Sequence, residues 1–239
     1  MRAAVLVVPV ALIACGHPAP APQAPAATGS ASGCEGVAAC VAQADDALHV
    51  NDIPRALDGL ARACAFGDAH SCAREGVYLV TNPQKDGDRE RAVTLLQKAC
   101  DDNDALGCEK LAPTQTDQVA AQLYDKACGL GDSSACGSFA IVLAHGTGTA
   151  ADKPRAAQLA QKGCENGAAN ACTAWGESYS EGWIGAPDPA RASELFTKAC
   201  EQGDGRGCMD LANVTTDPND ARRLREKACA NGIAQACSQ

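Results

Sequence analysis

The chain has 239 residues and an apolar fraction of 46%, enough for a core, yet Phe, Trp and Tyr together make up only 3% of it. Packing must therefore rely on close backbone approach through Ala and Gly, helped by some other staple. The net charge of −9, with no cluster of Lys and Arg, excludes nucleic acid and anionic-lipid surfaces as partners.

The first residues read as an address. Arg2 is followed by an apolar run from Ala3 to Ala14 that is too short to span a bilayer. The run ends in Leu12-Ile13-Ala14-Cys15, which resembles the lipobox of bacterial lipoproteins. That resemblance implies cleavage after Ala14 and lipidation of Cys15, so residues 1–14 are expected to be a lipoprotein signal peptide. An ordinary secretory leader is the other reading, and either one exports the chain. Removing the leader takes away Arg2 and leaves 19 basic against 29 acidic residues, a net −10. Residues 15–33 continue as His17-Pro-Ala-Pro-Ala-Pro and then Ala, Thr, Gly and Ser, a composition that cannot pack a core and suits a spacer.

Fifteen cysteines point to an oxidising compartment, where disulfides form and persist. The chain contains no C-x-x-C, and its four histidines (His17, His49, His70, His145) are scattered, so neither a metal nor a cofactor is expected. From residue 64 onward the cysteines fall into six pairs, each eight apart: Cys64/Cys72, Cys100/Cys108, Cys128/Cys136, Cys164/Cys172, Cys200/Cys208 and Cys229/Cys237. Successive first cysteines are 36, 28, 36, 36 and 29 residues apart, which makes the unit a supersecondary repeat with two shortened copies.

Each unit predicts two helices. Ala stands eight residues before the first cysteine in every copy (Ala56, Ala92, Ala120, Ala156, Ala192, Ala221). Leu stands five before it in five copies (Leu95, Leu123, Leu159, Leu195, Leu224), and Ala or Gly163 immediately precedes it. These offsets make one helical stripe, that of the second helix of the repeat. Asp52, Asp88, Asp152, Asp188, Asp217 and Thr116, twelve before the cysteine, are expected to cap its start. Arg62, Lys98, Lys126, Lys162, Lys198 and Lys227 occupy its last turn, where a cation favours the negative end of the helix dipole. Gly67, Gly131, Gly167, Gly203, Gly232 and Asn103 follow the cysteine and suit a left-handed helix end. Asp68, Asp104, Asp132 and Asp204 come next and can cap the first helix of the following unit. A small residue recurs four beyond the second cysteine (Gly76, Ala112, Ala140, Gly176), as close helix packing requires.

Each cysteine pair therefore bridges two helices across a short turn. Closing a nine-residue ring stabilises by roughly 2.5 kcal/mol on the chain-entropy estimate. Cys34 and Cys40 pair as a local variant at the N-terminal cap, so every cysteine except Cys15 is accounted for.

Three features together resemble the Sel-one-like repeat, a relative of the tetratricopeptide repeat, and in particular the secreted cysteine-rich Hcp-type proteins. They are Lys198-Ala199-Cys200, its spacing to Cys208, and the pattern Cys172-x3-Gly176-x2-Tyr179-x2-Gly182. The resemblance covers residues 34–239 and implies an all-α fold, a right-handed α-solenoid of antiparallel helix pairs whose concave face binds proteins, peptides or wall fragments. Some Hcp-type members are described as penicillin-binding or as weak β-lactamases. This sequence has neither S-x-x-K nor K-T-G, the groups a serine β-lactamase needs.

The expected function is thus that of an envelope scaffold or adaptor, with a β-lactam- or peptidoglycan-directed protein as the rival reading and no catalytic residues assigned. Its partner is expected to be an envelope protein or peptide, or peptidoglycan fragments. The membrane is reached through the lipid anchor alone, and Gly16 after the lipid cysteine hints at the outer membrane or the periplasmic face. Offsets +2 and +6 after the second cysteine vary between copies, which singles out Arg74, Tyr78, Lys110, Ser138, Ser178 and Asp210 as binding candidates. Trp175 and Tyr179 stand where Phe139 and Leu143 do in the preceding copy and are read as core, not as a ligand platform.

Overall fold

In the computed structural model, residues 33–238 are described. The signal, lipidation and spacer assignments, Cys15 among them, lie outside those residues. Among the described residues the chain forms twelve α-helices: α1 (Val37–His49), α2 (Ile53–Ala65), α3 (Ala69–Thr81), α4 (Asp88–Asp101), α5 (Ala105–Leu111), α6 (Asp117–Gly129), α7 (Ser133–His145), α8 (Lys153–Glu165), α9 (Ala169–Ser180), α10 (Pro189–Glu201), α11 (Gly205–Val214) and α12 (Pro218–Ala230). Short 3₁₀ turns follow α5 and α12. No strand occurs among the described residues.

Three residues follow each second helix before the next helical element, and the same two backbone hydrogen bonds recur at all six junctions. After α2, the Gly67 amide donates to the Cys64 carbonyl and the Asp68 amide to the Ala63 carbonyl. Gly67 takes φ +96°, a left-handed conformation open to glycine at no steric cost. Asp68 then caps α3 through the Ser71 amide at 2.9 Å. Asp104, Asp132 and Asp204 repeat that cap on Gly107, Ala135 and Gly207, whereas Ala168 leaves the start of α9 without one. The left-handed position is filled by Asn103 at φ +62° where glycine is missing. Seven disulfides close these turns and the N-terminal cap: Cys34–Cys40, Cys64–Cys72, Cys100–Cys108, Cys128–Cys136, Cys164–Cys172, Cys200–Cys208 and Cys229–Cys237.

Two of the six predicted second-helix caps differ. Asp52, Asp152, Asp188 and Asp217 cap as expected. Asp88 instead lies inside α4 behind Gly87, and its carboxylate accepts from the Gln84 and Lys85 amides at 2.8 Å each, folding the preceding loop back on itself. Those two bonds hold its carboxyl below the usual carboxylate range. Thr116 stands at the cap position of α6 but makes no side-chain cap bond.

The core is built by size complementarity. Leu at offset −5 is only half-buried, and the deepest side chains of the second helices sit one residue later, in Leu60, Leu96, Ala160 and Phe196. A Cβ on Gly76 would lie 2.8 Å from Leu96 Cγ, and one on Gly176 would lie 2.5 Å from Phe196 Cε1, so a large side chain from one helix seats on a bare glycine of its partner. Where the pair is Ala140 and Ala160, both sides are small and both are fully buried. In α6 the buried alanine is Ala121, one residue past the predicted Ala120.

The basic residues of the last turn reach further than their own helix. Lys98 Nζ donates to the Cys64 carbonyl at 3.1 Å, Lys126 to Cys100 at 2.6 Å and Lys198 to Cys164 at 3.3 Å. Each therefore neutralises the negative end of the neighbouring repeat's second helix, which ties consecutive repeats together. First helices also touch their successors, α3 against α5, α7 against α9 and α9 against α11, so they form the inner layer of the stack. The two short cysteine spacings are absorbed in this layer, since α5 has only 7 residues and α11 only 10.

Candidate functional site

The inner layer carries a polar groove across α7, α9 and α11. Between α7 and α9 a cavity of about 230 Å³ is lined by Ser138, Ile141, Asn170, Thr173, Asp204 and Arg206. Arg206 also lines a second cavity of about 290 Å³, together with His145, Glu177, Glu181, Phe196, Asp210 and Val214. Arg206 lines both, so the two cavities are neighbours along the first helices. Its walls are fixed by hydrogen bonds: Asn170 Nδ2 donates to the Ser134 carbonyl at 2.8 Å and to Ser138 Oγ at 3.3 Å, and the Thr173 hydroxyl donates to Asp204.

Glu177 is the unusual member. It is only 6% exposed and stands five residues after Cys172, where Val77 and Ile141 stand in other copies. Arg206 Nη2 pairs with its Oε1 at 2.6 Å, but its Oε2 is buried with no donor, as is Asp210 Oδ2. Burial pushes the Glu177 carboxyl up to about 7; Arg206 opposes this, while Asp210 and Glu181 add to it. Burial likewise raises Asp210. The two carboxyls line the same cavity, and the charge of Asp210 raises Glu177, so one proton on the pair relieves the repulsion between them. Other buried acids are better served, Glu75 by Arg91 of α4 and Glu109 by Lys110 at 2.7 Å.

A stability signature follows. Below the unfolded-state value near 4.5, Glu177 is protonated in both states and adds no pH dependence. As pH rises from there to about 7 the folded chain holds the proton longer than the unfolded one, so stability falls across that window, by roughly 3 kcal/mol in the limit. Glu177→Gln is expected to leave stability near pH 4.5 little changed and to raise it at pH 8 by about 2 kcal/mol, read from urea unfolding at both values. A variant that is less stable than wild type at pH 8 refutes this account of the site.

The six residues singled out by offset are dispersed over five first helices. Asp210 and Ser138 line the groove. Arg74 is committed to Asp45 of α1 at 2.6 Å, Tyr78 is half-buried, and Lys110 is exposed and paired with Glu109. Ser178 is 1% exposed, its hydroxyl turned back onto the Trp175 carbonyl at 2.6 Å, which removes it from any surface. Trp175 packs against two core clusters, while the guanidinium of Arg191 lies over the Tyr179 ring, 5.5 Å from its centroid. Offset variability missed Glu177 and Arg206. The available signal was chemical: a carboxylate at an offset that is apolar in two other copies.

Stacked helix pairs with a polar inner face, each closed by a disulfide, make an α-solenoid of repeats. Residues 82–104, 137–167, 169–204 and 208–233 match the model of the Sel1 repeat, and the chain is accordingly a Sel1-repeat protein. No curated protein matches it. Among solved structures, a Sel1 repeat protein from Oxalobacter formigenes is similar at 19% identity and a TM-score of 0.66, over 82% of this chain and 84% of that one. The immunity protein Pa5087 from Pseudomonas aeruginosa is similar at 16% identity and a TM-score of 0.57, over 83% of each chain. The cysteine-rich protein B of Helicobacter pylori aligns at 25% identity and a TM-score of 0.40, over 53% of this chain and 98% of that one. The first two likenesses show the fold and nothing of function.

Proposed function

We propose that the chain is a scaffold outside the cytoplasm that binds a protein or peptide through the inner layer of its repeats, and that lipidated Cys15 tethers it to the bacterial envelope. The observation that carries the reading is the pair of polar cavities over α7, α9 and α11, which share Arg206 and are walled by side chains from all three helices. Helical repeats bind by shape and placed polar groups along such a surface and need no reactive residue. Seven disulfides suit an oxidising compartment, and among the described residues no helix is long and apolar enough to cross a membrane.

Crosslinking capture from envelope extract tests the proposal, with the oxidised chain as bait and a reduced, alkylated copy as control. A partner retained only by the oxidised chain, and lost when Ser138, Asn170 and Arg206 are replaced by Ala, is the expected result. Equal capture by the triple variant removes the groove from the interaction. Nitrocefin hydrolysis abolished by one point substitution would replace the scaffold reading with an enzymatic one.

A further inference from the structure

We infer that the cavity between α9 and α11 is a subsite for a primary ammonium, the side chain of a lysine in an extended peptide. The inference rests on the scaffold reading and deepens it by naming the chemistry of the ligand. Three carboxylates line this cavity, Glu177, Glu181 and Asp210, against the single guanidinium of Arg206 and the imidazole of His145. Arg206 reaches only one oxygen of Glu177, and Trp183 Nε1 fixes Glu181 at 3.0 Å. Glu177 Oε2 and Asp210 Oδ2 are left buried without a donor. A buried acceptor in that state is costly, the more so when it is charged, so the pair requires either a proton or a cation with several donors.

An ammonium supplies three donors from one compact charge, whereas a guanidinium presents a wide planar fork that Arg206 already provides. Phe196 and Val214 form apolar walls against which the methylenes of a lysine can lie. Among the described residues no three His, Cys, Asp or Glu groups are placed to hold a metal ion, so the cation that fits is an organic one.

Binding is coupled to proton release. Below about pH 7 the free Glu177 carboxyl holds a proton; the incoming ammonium takes its place, and that proton leaves to solvent. The charged and titratable groups facing the pair are Arg206 of α11, Asp204 at the start of α11, Glu181 at the end of α9, and His145 of α7, while α10 contributes the Phe196 ring. Protonation of Glu177, whose carboxyl is pushed up to about 7, opposes the ligand, so affinity rises with pH.

Titration calorimetry of the full, oxidised chain with N-acetyl-Ala-Lys-Ala amide tests this, with norleucine and Nε-acetyl-lysine peptides as isosteric controls. At pH 8 the lysine peptide is expected to bind at least tenfold more tightly than either control, and at pH 5 at least tenfold more weakly than at pH 8. Glu177→Gln and Asp210→Asn are each expected to lose at least tenfold while the circular dichroism spectrum stays unchanged. Equal binding of the norleucine peptide, or full binding by both variants, overturns the subsite. No binding of the lysine peptide overturns it as well. If Glu177→Gln and Asp210→Asn still capture the envelope partner as well as wild type does, the subsite falls while the scaffold stands. If wild type captures nothing, the scaffold reading falls instead.

Discussion

Reducing all seven disulfides is expected to unfold the chain, with loss of the helical circular dichroism signal and rapid proteolysis at about 37 °C. Six of the rings hold nine residues, and each contributes roughly 2.5 kcal/mol on the chain-entropy estimate. Even half of that total equals or exceeds the 5 kcal/mol or so at the lower end of native stabilities. The core has little to put in its place. Its fully buried side chains are mostly Ala and Cys, with Phe196, Leu96 and Leu111 the largest apolar ones, and an alanine buries far less apolar area than a leucine. The measurement is urea unfolding of the oxidised chain and of the reduced, alkylated chain. A cooperative transition that survives reduction at a similar midpoint sinks the view that the staples, and not the core, hold the solenoid together. Single disulfides should matter unequally. Cys229–Cys237 ties α12 to a short 3₁₀ turn, with Cys237 exposed, so its loss should fray α12 alone, whereas loss of Cys164–Cys172 should uncouple α8 from α9, two full helices packed on both sides.

The helices were legible because their boundaries are set locally. A capping aspartate, a left-handed glycine and a cysteine pair recur at fixed offsets, and each acts within one turn of chain. Asp88 shows the limit of that reasoning: its offset matches a cap, but the loop before it offers two free amides nearer to its carboxylate. The lysines of the last turn show another limit. Sequence places Lys98 on its own helix, and only the stacking of repeats shows that it serves the Cys64 carbonyl of the repeat before. Burial in the groove was the least legible part. Ser178 and Asp210 were both chosen for variability, and only the stacking of α9 on α7 and α11 decides that one is buried and the other lines a cavity. Glu177 stands five after Cys172, outside the +2 and +6 positions that variability singles out, and only its chemistry, a carboxylate where other copies carry Val77 and Ile141, marks it.

Gly137→Val is expected to cost about 3 kcal/mol or more and to open the groove at its first step. A Cβ at Gly137 would lie 2.7 Å from both Cα and N of Ala171, and 2.9 Å from its Cβ. Two of those three atoms are backbone of α9, so no rotamer change can make room, and α7 and α9 must separate. The same economy recurs where the disulfides draw helices together. A Cβ on Gly107 or Gly207 would lie 2.6 Å from Cβ of Ala99 or Ala199, and one on Gly163 would lie 2.6 Å from Cβ of Ala171. At three of six junctions one of the two residues just before the paired cysteines is thus glycine. The helix tolerates that glycine, at roughly 0.5–1 kcal/mol relative to alanine, in exchange for an approach alanine would block. Gly129→Ala is the matched control, since a Cβ there meets nothing within 4 Å and the residue ends α6; it should be neutral or slightly stabilising. Thermal melts of the two variants separate the effects. If Gly137→Val melts with wild type, the close packing of α7 on α9 is not what positions Ser138 and Asn170 across the groove from each other. If it melts lower and also loses the lysine peptide, the groove depends on glycine at a distance from the carboxylates that would bind it.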